Sequence, residues 1–173
     1  YIAIKISINN WRWAEVPFYL RTGKKLAKKA SEIVITFKDR VHQIFSTSSN
    51  KSDSKYPNRL IIRVQPNEGL RLLLKSKEPG PGGMRLFPSE LNLSFEETFG
   101  ARLPDAYERL LMDTARGNQT LFMRTDEVLA SWDFIDALVN LKEMQTLKRY
   151  NRGSMGPADF ILKKSGHEWF KLT

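Results

Sequence analysis

Residues 59–77 read Arg59-Leu60-Ile61-Ile62-Arg63-Val64-Gln65-Pro66-Asn67-Glu68-Gly69-Leu70-Arg71-Leu72-Leu73-Leu74-Lys75-Ser76-Lys77. Two aliphatic runs flank a Pro-Asn-Glu-Gly segment with the composition of a turn, and this predicts an antiparallel hairpin of strands 59–65 and 70–77. Upstream, Glu32-Ile33-Val34-Ile35-Thr36-Phe37 reads as a strand, and Val16-Pro17-Phe18-Tyr19-Leu20-Arg21 as a shorter one with Pro17 at its start or on an edge. Ile2, Ile4, Ile6 and Ile8 alternate with Ala3, Lys5 and Ser7, the period of a strand with one buried face. Downstream, Glu78-Pro79-Gly80-Pro81-Gly82-Gly83 is a turn, and Glu90-Leu91-Asn92-Leu93-Ser94-Phe95 alternates again. Ser46 to Asn58, polar and Ser-rich, is expected to be an exposed hairpin loop.

After residue 95 the period changes. Ala106, Leu110, Leu111 and Ala115 recur at helical spacing, with Pro104 suited to a first turn and Gly117 to the left-handed stop. Thr125-Asp126-Glu127 opens a second helix whose acidic groups face the positive end of its dipole, and Val128, Trp132, Ile135 and Val139 give it an apolar stripe. A shorter helix is expected between Gly156-Pro157 and Gly166. Strands first and helices afterwards predict an α+β fold: one large, mainly antiparallel sheet with helices packed on one face or end. The chain opens inside a strand and without an initiator Met, so it is expected to be a piece of a longer polypeptide.

The chain has 173 residues, of which 41% are hydrophobic, enough for one substantial core or two small lobes. No run approaches the roughly 20 apolar residues of a membrane span, and no membrane partner is expected. With no cysteine, thiolate metal sites, disulfide scaffolds and cysteine nucleophiles are excluded. The net charge is +9, concentrated in the first half: residues 1–90 hold 17 basic and 7 acidic side chains, residues 91–173 hold 11 and 12. Such a field draws phosphates, nucleotides or nucleic acid without choosing among them.

Lys24-Lys25-Leu26-Ala27-Lys28-Lys29 is the densest basic cluster and follows a strand and the Thr22-Gly23 turn. There a short loop can aim ammonium groups across the end of a sheet at a phosphate or a hydroxylated sugar. A solvated basic face is the plainer reading of the cluster alone. Arg21, Arg63 and Gln65 lie near the ends of strands whose adjacency would bring them together with Lys24 and Lys29 as a candidate anion or polyol site; Gln65 is equally an ordinary residue before a turn. His42 and His167 have no second His or carboxylate at ligand spacing, so no metal site and no catalytic base are assigned. No G-x-G-x-x-G fingerprint occurs. Trp11 and Trp13, two apart in a presumed strand, are read as packing residues ahead of a base-stacking pair.

Four strings carry a resemblance across nearly the whole chain: Asn10-Trp11-Arg12-Trp13-Ala14-Glu15-Val16-Pro17-Phe18-Tyr19-Leu20-Arg21-Thr22-Gly23-Lys24, Arg63-Val64-Gln65-Pro66-Asn67-Glu68, Leu103-Pro104-Asp105-Ala106-Tyr107-Glu108-Arg109-Leu110, and Tyr150-Asn151-Arg152-Gly153-Ser154-Met155-Gly156-Pro157. In content and order they resemble the glucose-6-phosphate dehydrogenase family. The resemblance implies a cytoplasmic, oligomeric oxidoreductase of the oxidative pentose phosphate pathway. Such an enzyme oxidises the C1 hydroxyl of glucose 6-phosphate and passes hydride to NADP. It implies further that residues 1–173 are the C-terminal part of the family's substrate and oligomerisation domain. The N-terminal Rossmann domain, which binds most of the NADP, is absent, as is the His that serves as base. The chain alone is then inactive, with no catalytic residue of its own.

Position by position, the resemblance makes Lys24, Lys29 and Gln65 substrate contacts. It matches Arg21 and Arg63 to basic positions of a second, structural NADP site, where Ala30 replaces a lysine, Arg71 an aromatic and Asn92 an acid. It also implies a homo-oligomer formed through the sheet, with no nucleic acid as partner. The alternative from another class is a stand-alone basic domain that binds anions or nucleic acid through its positive half.

Overall fold

The computed structural model describes residues 1–38, 57–81, 86–100, 106–141, 147, 149–157, 159–163 and 165–172. The chain divides into two compact units, one of Tyr1–Ala101 with Arg152–Thr173 and the other of Arg102–Asn151.

The first unit holds the strands: β1 (Ile2–Ser7), β2 (Pro17–Thr22), β3 (Ser31–Thr36), β4 (Arg59–Gln65), β5 (Gly69–Lys77) and β6 (Leu86–Ser94). All described pairings are antiparallel. They form two sheets, β1-β2 and β3-β4-β5-β6, not the single sheet expected from the run of strand signals. Periodicity reports which residues extend, but the break falls in the Lys-rich segment between β2 and β3, whose backbone pairs with neither strand. The β4–β5 hairpin is as expected, with Arg63 opposite Gly69.

Register gives the larger sheet two unlike faces. Ile33, Ile62, Leu70 and Leu93 stand in one cross-strand row, and Ile35, Leu60, Leu72 and Leu91 in the next. These rows make one face almost wholly aliphatic, and Ile33, Ile35, Leu70, Leu91 and Leu93 are all exposed there. The opposite face carries Glu32, Arg59, Arg63, Arg71, Glu90 and Asn92 around Ile61, whose side chain is fully buried.

Strand β6 ends one residue earlier than its alternation suggests. Ser94 caps α1 (Phe95–Phe99), its Oγ accepting the Glu97 N–H at 3.4 Å, and Gly100 closes the helix at φ 58°. Phe95 is therefore helical, and its ring meets Phe99 edge to face at 5.9 Å. The first unit also contains α4 (Asp159–Lys163), which packs on β1 and buries Leu162. Its left-handed stop is Gly166, at φ 70°.

Trp11 and Trp13 are not in a strand. Asn10 Oδ1 accepts the Trp13 N–H at 2.9 Å, the Val16 N–H donates to the Trp13 carbonyl at 3.1 Å, and Glu15 takes φ 61°. The segment therefore coils through successive turns. Trp11 is left 92% exposed, while Trp13 packs edge to face on Phe18 at 5.4 Å.

The second unit contains α2 (Ala106–Ala115) and α3 (Thr125–Val139). Gly117, at φ 69°, stands just past α2, and the Asn118 N–H returns to the Asp113 carbonyl at 2.9 Å. α3 opens at Thr125, as expected, with Arg124 as its N-cap residue: the Arg124 N–H donates to Glu127 Oε2 at 3.0 Å, and its guanidinium forks onto Asp126. The stripe Val128, Trp132, Ile135 and Val139 is exposed. Pro104, His42, Gly82, Gly83 and most of the Ser46–Asn58 segment lie outside the described residues. No described helix is long and apolar enough to cross a membrane.

Candidate functional site

The β2–β3 connection begins at Gly23, runs through Lys24, Lys25, Lys28 and Lys29, and enters β3 at Ser31. Lys24 and Lys29 are exposed. Lys25 takes φ 54°, a left-handed conformation that a residue with a Cβ adopts only at a cost. A strand pairing draws one end of this loop to the predicted third contact, because Ser31 is the Cα partner of Gln65. Lys29, two residues before Ser31, and Gln65, the last residue of β4, thus lie at the same end of the four-stranded sheet.

The loop is tied down from two directions. The Ala27 N–H donates to the Ser154 carbonyl at 3.0 Å, and the Gly153 N–H donates to the Lys25 carbonyl at 2.9 Å. Lys28 Nζ donates to the Leu172 carbonyl at 2.9 Å. The Gly153-Ser154 string, singled out only for its resemblance, is therefore the backbone support of the basic loop.

The two arginines fall on different sheets. Arg21, in β2, lays its guanidinium 4.4 Å from the centre of the Trp169 ring. Arg63, in β4, donates from Nη2 to Asn92 Oδ1 at 3.1 Å, while its Nε is buried with no acceptor among the described residues. Arg71 is bound to Glu90 through Nε–Oε1 at 2.7 Å and Nη2–Oε2 at 3.1 Å. These hydrogen bonds hold the Glu90 carboxyl below the usual carboxylate range and raise Arg71 further, against an opposing effect of burial on both. The fit to a second dinucleotide is poor, because Arg63 and Arg71 are engaged by partners on their own sheet.

Sequence reasoning missed the C-terminal segment. Trp169 covers Arg21, the Phe170 ring lies 5.3 Å under the Arg59 guanidinium, and His167 meets the Tyr19 ring edge to face at 6.4 Å. The signal was the aromatic pair following Gly166, which suits cation–π packing on an arginine-bearing sheet.

The family model for the glucose-6-phosphate dehydrogenase C-terminal domain matches residues 1–170. The chain is 50% identical over 173 residues to glucose-6-phosphate 1-dehydrogenase of Rhizobium meliloti, covering 98% of this chain and 35% of that protein. It is 47% identical over 175 residues to the enzyme of Mycolicibacterium smegmatis, covering 98% and 34%. Among solved structures, a glucose-6-phosphate dehydrogenase in complex with its substrate glucose-6-phosphate superposes with a TM-score of 0.78 at 32% identity, covering 98% of this chain and 34% of that one. The Mycobacterium avium enzyme gives 0.75 at 27% identity, with the same coverage. The chain thus spans about a third of the length of the relatives it matches. A match of this extent replaces the stand-alone binding-domain reading: the chain belongs to the glucose-6-phosphate dehydrogenase family, as its C-terminal domain.

Proposed function

We propose that this chain supplies the substrate-holding loop of a complete, cytoplasmic, NADP-dependent glucose-6-phosphate 1-dehydrogenase. That enzyme oxidises the C1 hydroxyl of glucose 6-phosphate to the lactone, and NADP, when bound, would supply the hydride acceptor. Neither the base nor the dinucleotide-binding loop belongs to these residues, so the chain by itself is inactive. Its contribution is positioning: Lys24 and Lys29 offer ammonium donors, and Gln65 an amide, to the oxygens of the sugar phosphate.

The observation that carries this reading is the register placing Ser31 opposite Gln65, so that Lys29 and Gln65 share one end of the sheet at the close of the Lys24 loop. Lys24→Ala in the complete enzyme is expected to raise the KM for glucose 6-phosphate at least about tenfold, equivalent to about 1.4 kcal/mol. An unchanged KM rejects the assignment.

The engagement of Arg63 by Asn92 and of its neighbour Arg71 by Glu90 argues against a second nucleotide on Arg21 and Arg63. NADP added to this chain should leave its melting temperature where it was; a rise of several degrees would overturn this part of the reading. The oligomer forms through the larger sheet, with the aliphatic face of β3–β6 covered by a second copy of the domain. The contiguous exposed Ile33, Ile35, Leu70, Leu91 and Leu93 on that face support an association surface. The reading requires neither nucleic acid nor a membrane.

A further inference from the structure

Gly23 immediately precedes Lys24, and Gly156 lies in the 152–157 turn that supports the same loop. Both face one ring. A Cβ built on Gly23 would stand 2.8 Å from Tyr1 Cδ2 and 3.4 Å from Tyr1 Cα. A Cβ on Gly156 would overlap the same edge of the ring, 2.6 Å from both Cδ2 and Cζ and closer still to Cε2. Real Cβ atoms do not approach so closely, so both glycines are places where the ring occupies the space of a side chain. Gly156 also takes φ 77°, and its N–H donates to Ser154 Oγ at 3.2 Å. Ser154 in turn accepts the Ala27 N–H through its carbonyl.

We infer that Tyr1 is a positioning residue for substrate binding: its ring, packed against both Gly23 and Gly156, holds the Lys24–Lys29 loop and the 152–157 turn in register and so fixes where Lys24 stands. The backbone ties Ala27–Ser154 and Lys25–Gly153 pull the two segments together. Hydrogen bonds alone leave a loop free to hinge, and a planar ring packed at its origin removes that freedom. The left-handed Lys25, beside Lys24, is held by the same ties. A ring in this place acts on the hexose phosphate through Lys24 and touches no reacting atom. The inference rests on the reading of Lys24 as a substrate contact.

The test compares Tyr1→Leu and Tyr1→Phe with Lys24→Ala in the complete enzyme, measuring KM for glucose 6-phosphate, KM for NADP and the melting temperature. Tyr1→Leu is expected to raise the KM for glucose 6-phosphate at least about fivefold, because a small misplacement of a positioning group is costly, and to leave the KM for NADP unmoved. Tyr1→Phe, which keeps the ring, should keep the KM for glucose 6-phosphate at the parent's value. If Tyr1→Leu lowers only the melting temperature, or moves both KM values together, the ring is merely structural and the inference fails. Should Tyr1→Leu not fold, Gly156→Ala displaces the ring without removing it. It is then expected to raise the same single KM, and an unchanged value in the folded variant overturns the proposal. A raised KM for Lys24→Ala beside an unchanged one for Tyr1→Leu removes this inference alone, whereas an unchanged KM for Lys24→Ala removes the functional reading and this inference with it.

Discussion

Arg71 and Glu90 meet as a two-pronged ion pair across β5 and β6, with both oxygens of the carboxylate accepting from the guanidinium. Arg71 is directly opposite Asn92, and Glu90 directly opposite Leu73, so the pair is diagonal in the register. It neutralises Arg71 on the face that Arg63 shares.

A pH dependence follows. The folded-state pKa of Glu90 is depressed, chiefly by the Arg71 hydrogen bonds, so its contribution is fully present above the ordinary glutamate pKa and is lost as pH falls through the lower folded value. The Glu90 side chain is 41% exposed, and solvent screening keeps the contribution to about 1 kcal/mol or less. Glu90→Gln should lower the urea midpoint at pH 7 by a corresponding amount and flatten the acid limb of the stability curve below pH 4. A Glu90→Gln curve parallel to the parent's from pH 7 to pH 3 would contradict this.

Gly69 is the reason Arg63 can reach Asn92. A Cβ at Gly69 would collide with the Leu93 carbonyl oxygen and stand 2.7 Å from Arg63 Nη2. The carbonyl belongs to the sheet backbone and cannot move aside as a side chain can. Gly69→Ala is expected to cost about 2 kcal/mol, in the range of overpacked cores; chemical denaturation reads it directly, and an unchanged midpoint contradicts it.

Leu91 tests the assembly. It is 64% exposed on the aliphatic face, so a charge there costs the lone domain little and a sheet-to-sheet interface a great deal. In the complete protein, Leu91→Lys should convert the oligomer to a species of monomer mass by light scattering, with the melting temperature of the isolated domain little changed. An unaltered mass locates the interface elsewhere.

The sequence by itself determined the elements. Alternation in Ile2–Ile8, the paired runs around Pro66–Gly69, and helical spacing from Ala106 onward each report a local period, and local period is what decides strand against helix. It also marked Lys24, Lys29 and Gln65 as residues to watch, since donors after a Gly turn or before a Pro turn stand at strand ends. Tertiary structure alone decided how those elements combine. The β2–β3 connection separates two sheets because its backbone is bound by Gly153 and Ser154, far along the chain. Arg71 and Arg63 are committed to Glu90 and Asn92 by a register that no single strand specifies. The physical reason is the same in each case: periodicity is a property of neighbours along the chain, whereas these partners are chosen by which segments lie side by side once the sheets have formed.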